Sequence, residues 1–117
     1  MSVRRNCFEF RLLDPPVTHV ARSSGGFSST RLLIGAFSEA VRTFDQGIRD
    51  LQASASVRLK GSDLLLYPLE LVEGGLSEVE DRVLRDLVLG IGPRRVVIWQ
   101  GPELGDEEVR EALLQGR

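Results

Sequence analysis

The sequence predicts an α+β domain in two layers, and three observations carry that prediction. Hydrophobic periodicity along residues 31–99 switches between two and 3.6 in the order strand, helix, strand, strand, helix, strand. That is the split βαβ order, with room for an extra strand or hairpin before it and a helix after it. The chain has 117 residues, 42% hydrophobic and 27% charged, the size and balance of one domain with its own core. A single domain over 1–117 is therefore expected, without a linker or an internal repeat.

The first strand is Cys7 to Leu13, where Phe8, Phe10 and Leu12 alternate with Glu9 and Arg11, and Asp14-Pro15-Pro16 stops it. Val17 to Arg22 reads as a second short strand, with Val17, His19 and Ala21 on one side. Ser23-Ser24-Gly25-Gly26-Phe27-Ser28-Ser29 is a loop. Arg31 to Ala36 is apolar on both faces, as an interior strand would be. An alternative is one long helix from Thr30 to Leu51, although Gly35 is a poor residue for its middle.

From Ser38 the period is helical. Val41, Phe44, Ile48 and Leu51 make one apolar stripe, interrupted only by Gly47. Val57–Lys60 and Leu64–Leu71 read as strands joined by Gly61-Ser62-Asp63, with Pro68 arguing for an edge position or a bulge. Ser77 and Glu80 form a capping box, and Gly90, Gly92 and Pro93 end the helix that it starts. Val96 to Trp99 is a compact apolar strand. A last helix from about Asp106 carries Asp106, Glu107 and Glu108 at its positive end. By order of elements alone, residues 31–99 resemble the ferredoxin-like βαββαβ fold, which hosts many functions and implies none.

Charge is divided unevenly. Residues 1–60 hold nine basic and five acidic side chains, and residues 61–117 hold six and twelve. The two halves then complement each other within the fold or across a dimer. Nucleic-acid binding is not expected: net charge is −2, and the central strands of this reading carry no aromatic except Tyr67 for bases to stack on. Residues 1–11 include Arg4, Arg5, Glu9 and Arg11, which is no secretory leader, and no apolar run is long enough to span a membrane. A cytoplasmic protein is expected.

No residue pattern specifies catalysis. His19 is the only histidine, and Asp14, Ser23 and Ser24 are its near neighbours in sequence, but a triad is defined by geometry. With one histidine and one cysteine, Cys7, neither a metal site nor an internal disulfide is expected, and no cofactor is implied. The sequence thus points first to a non-enzymatic regulatory or interaction domain that self-associates as a homodimer or binds a protein partner. An open sheet edge needs covering, and strand 64–71 offers one, with Leu65, Tyr67 and Leu69 on its outer face. The alternative is a small-molecule or anion sensor. Its candidate residues are Ser24, Gly25 and Gly26, whose backbone N–H groups could approach an anion, flanked by Arg22 and Arg31. Ser/Gly composition by itself specifies only a flexible connector. A small enzyme using His19 is the third reading.

Overall fold

The computed structural model describes residues 1–13, 16–29, 32–69 and 75–115, which form a mixed α+β domain with a five-stranded sheet and three α-helices. The strands are β1 (Ser2–Arg4), β2 (Cys7–Leu13), β3 (Pro16–Arg22), β4 (Asp63–Pro68) and β5 (Arg95–Ile98). The helices are α1 (Phe37–Ala55), α2 (Glu78–Val88, continued by a 3₁₀ turn over Leu89–Ile91) and α3 (Asp106–Gln115). Spatial order is β3-β2-β1-β4-β5. The first three strands form an antiparallel meander, while β4 and β5 run parallel to β1.

Several elements form for the reasons the sequence supplies. Phe8 and Phe10 point from β2 into the stripe of α1, where Phe44 meets Phe8 edge-on at 5.8 Å and Phe10 at the same separation. Ser77 accepts from the Glu80 N–H and Glu80 accepts from the Ser77 N–H, completing the capping box of α2. Leu84, Leu87 and Val88 seal that helix onto the core shared with Val3, Phe8, Phe44 and Leu66. Gly92 takes φ +71° to end the 3₁₀ turn, a conformation that suits glycine.

The βαββαβ core does not form. Residues 32–36 make neither a strand nor a helix start. The Gly35 and Ala36 N–H groups both donate to the Phe27 carbonyl, and the Leu32 carbonyl accepts from Ser29. The apolar run is used to bury Leu33 while Leu32 stays exposed. Residues 57–60 are no strand either. Ser56 adopts a left-handed cap, the Val57 N–H returns to Gln52 O, and the Leu59 N–H donates to Gln52 Oε1. The Val57 and Leu59 amides thus close the helix end and not a strand ladder. In their place the sheet gains β1, a three-residue strand at its centre with Val3 fully buried.

The helices also cover both faces, where two layers are expected from the sequence. α1 packs on β2 and β3 and also contacts α2, whereas α3 lies against β4 and β5 on the opposite side. β4 is an interior strand, and Pro68 is tolerated there for a specific reason. The Tyr67 and Leu69 N–H groups donate to Met1 and Val3 of β1, so the nitrogen of Pro68 faces β5, whose pairing has already ended at Leu66↔Ile98.

Asp63 and Arg94 clamp the starts of β4 and β5, with Arg94 Nη2 to Asp63 Oδ2 at 2.6 Å and Nε to Oδ1 at 2.9 Å. Hydrogen bonding from Arg94 holds the Asp63 carboxyl below its ordinary value of 3.8. A carboxyl lowered by folding stabilises above its unfolded pKa, and loses that contribution as pH falls through the folded one. Asp63→Asn is therefore expected to lower Tm at pH 7 and to melt with wild type once pH drops below that folded pKa. A difference independent of pH, read by thermal melts across the acid range, would contradict this.

Candidate functional site

Ligands of open α/β sheets gather beyond the carboxyl ends of the parallel strands. Here that end is built from the β1–β2 turn at Arg5 and Asn6 and from the Ser/Gly loop that follows β3. Asn6 stands at φ +55°, one of the few non-glycine residues that tolerates a left-handed backbone. Its Oδ1 accepts from the N–H groups of Phe27 at 2.8 Å and Ser28 at 2.6 Å, and its own N–H donates to Ser28 Oγ at 2.9 Å. Ser28 Oγ in turn donates to the Leu33 carbonyl, and the Ser23 N–H donates to the Asn6 carbonyl. Phe27 is fully buried and stacks on Phe8 at 4.6 Å. The Ser/Gly loop is thus a pinned structure, not a flexible connector.

Arg22, Ser24, Gly25 and Gly26 are brought together in this loop; Arg31 lies outside the described residues. The N–H groups of Ser23, Gly26, Phe27, Ser28 and Ser29 all have partners within the protein. Glu39, from the first turn of α1, accepts from the Ser23 hydroxyl at 3.0 Å, and its carboxylate lies against Gly25. Of the three candidate amides, that of Gly26 is engaged by Ser23 Oγ, and the Glu39 carboxylate already sits beside Gly25. Arg22 and Ser24 are exposed.

The other candidates are dispersed. His19 Nε2 lies 3.8 Å from Asp50 Oδ2 on α1, and its ring stacks on Phe10. Ser23 is four strand residues, about 13 Å, further along, and its hydroxyl is engaged with Glu39 and the Gly26 N–H. Asp14 lies outside the described residues. Cys7 is buried, and no group of three or more His, Cys, Asp or Glu among the described residues could hold a metal ion. Leu65 is buried beneath α3, the Tyr67 hydroxyl donates to the Gly101 carbonyl, and Leu69 is tied to Val3. With β1 on one side and β5 on the other, strand β4 has no free edge to offer a partner.

The free edges belong to β3 and β5. β5 has only four residues, and the Arg85 guanidinium of α2, braced by Asp81 at 2.6 Å, donates to its Val96 carbonyl. A charged side chain on a short edge is a recognised way of blunting it. β3 has seven residues, with Pro16, Thr18, Val20 and Arg22 exposed. The bond from Ser23 N–H to Asn6 O makes Asn6/Ser23 a hydrogen-bonded pair, so by antiparallel alternation Phe8/Ala21, Phe10/His19 and Leu12/Val17 are the others. The backbone groups of Thr18, Val20 and Arg22 consequently point outward, and nothing described pairs with them. This edge escapes sequence reading because strand order is a non-local property. Asn6 escapes it too, although an asparagine in a two-residue link between strands is a turn signal.

No helix among the described residues is long and apolar enough to cross a membrane. The uncharacterized protein YjaA of Escherichia coli (strain K12) is 31% identical over 94 residues, which cover 77% of this chain and 72% of that protein. No protein-family model matches the chain. No solved structure matches it either.

Proposed function

The chain belongs to the same family as YjaA, and we propose that it is a non-enzymatic interaction domain of the cytoplasm that self-associates as a homodimer. The observation that carries this reading is the open edge of β3, where the backbone groups of Thr18, Val20 and Arg22 point outward. Two copies aligned antiparallel about Val20 would exchange both backbone bonds at Val20/Val20 and at each Thr18/Arg22 pair. That register uses every outward N–H and C=O of the three residues. It also buries Val20, 39% exposed in the single chain, against its own copy, and it sets Arg22 opposite a threonine and not another charge. The result is one continuous ten-stranded sheet.

The anion-sensor alternative, built on Arg22, Ser24, Gly25, Gly26 and Arg31, has less support. The Gly26 amide is engaged by Ser23 Oγ, and the Glu39 carboxylate lies against Gly25. Proline at position 20 separates the readings, because the Val20 N–H faces outward and its loss leaves the β2–β3 ladder intact. Sedimentation velocity at micromolar concentration is expected to show a dimer for the wild type. Val20→Pro should give a monomer with unchanged far-UV circular dichroism. A monomeric wild type, or a dimer that survives Val20→Pro, would contradict the proposal.

A further inference from the structure

α3 holds its place without burying a single residue. Its attachments are polar. Arg11 Nη2 donates to the Leu104 carbonyl at 3.3 Å and its Nε lies 3.4 Å from Asp106. The Tyr67 hydroxyl donates to Gly101, Trp99 Nε1 donates to Pro102, and the Arg95 guanidinium donates to the Leu113 carbonyl. Gly101 lets the chain pass over the Trp99 ring, where an added Cβ would stand 3.1 Å from it.

An open cavity of about 410 Å³, within the usual range for small-molecule sites, runs from beneath this helix to the α1 side of the sheet, where Phe10, Phe44, Ile48 and Leu51 line it. Leu104, Val109 and Leu113 line it from above, and Leu65, Tyr67 and Trp99 from the sheet. Its charged wall residues are not equivalent. Arg11 is engaged by Asp106, and Asp63 by Arg94. Arg58 and Glu103 are exposed. Glu9 is half-buried and makes no salt bridge among the described residues. The Met1 amine, which also lines the cavity and senses the Glu9 charge, has its pKa lowered to about 5 by burial and is uncharged at pH 7. A partly desolvated carboxylate in an apolar wall favours a cation and repels an anion.

We propose that this cavity binds an apolar small molecule bearing one ammonium group, with its body beneath α3 and its charge on Glu9. The site is separate from the β3 backbone edge. Trp99 is the only tryptophan, so its fluorescence reports occupancy directly. The full-length protein would be titrated with octylamine, octanol and octanoate at pH 7. Octylammonium is expected to bind saturably at one per chain, and at least tenfold more tightly than octanoate. Glu9→Gln should abolish that preference. Val109→Phe, which fills the cavity, should weaken octylammonium at least tenfold, with Leu113→Phe as a second filling variant if the first does not fold. Absence of saturable binding, octanoate binding as tightly as octylammonium, or binding undiminished in a folded filled variant would each overturn the proposal.

Discussion

Asn6→Ala is expected to destabilise the protein by about 2–4 kcal/mol. The Phe27 and Ser28 N–H groups lose the acceptor that holds them, and alanine must take a backbone at φ +55° that asparagine tolerates. Two further variants divide the loss. Asn6→Gly keeps the left-handed backbone without the acceptor, and Asn6→Asp keeps an acceptor. Stability by denaturant unfolding should therefore fall in the order wild type, Asp, Gly, Ala. Because the loop carries fully buried Phe27 onto Phe8, the loss should be global. Hydrogen exchange should quicken through β2 as well as through residues 23–29. A loss confined to loop amides would show that the loop is an appendage.

Gly47→Ala tests how tightly α1 sits on the sheet, and here two rules predict opposite signs. In an exposed helix the change stabilises by about 1 kcal/mol, because alanine is the better helix former. At this position an added Cβ would stand 2.6 Å from Phe10 Cε2 and 2.8 Å from the Ala21 Cβ. Such contacts force the helix off the β2–β3 surface, and overpacking of this kind costs about 1–3 kcal/mol. A net loss of stability is expected, shown by a lower denaturation midpoint with an unchanged slope. A gain would mean that α1 can slide on the sheet, and that the packing of Phe10 against His19 and Phe44 is looser than it stands.

The elements legible in the sequence are those written in local pattern. The alternation of β2, the stripe of α1, the Ser77–Glu80 box and the acidic start of α3 each depend on neighbours within a turn or two. β1 is too short, at three residues, for any periodicity to register. Residues 32–36 look like a strand because they are apolar, and 57–60 because Val57 and Leu59 alternate with Arg58 and Lys60. Their backbone groups, however, are engaged by Phe27 and Gln52, which composition cannot reveal. The same limit governs the sites. Ser24, Gly25 and Gly26 are visible as a loop, yet what occupies their surroundings depends on Asn6, at least eighteen residues distant, and on Glu39, at least thirteen. The idea of a sheet edge needing cover is sound, but β4 lies inside the sheet and the exposed edge is β3.

The most direct test of the account is cross-linking that reads the register of β3 against its copy. In a chain carrying Cys7→Ala, cysteine would be placed at Val20 or at Thr18 and treated with a short bismaleimide. Pairing about Val20 sets the two position-20 residues directly opposite, with Cα atoms about 5.5 Å apart. The two position-18 residues are offset by four residues, about 13 Å along the strand. Efficient covalent dimer from Val20→Cys with little from Thr18→Cys is the result predicted. Failure of Val20→Cys to cross-link, or equal yields from both positions, would contradict it.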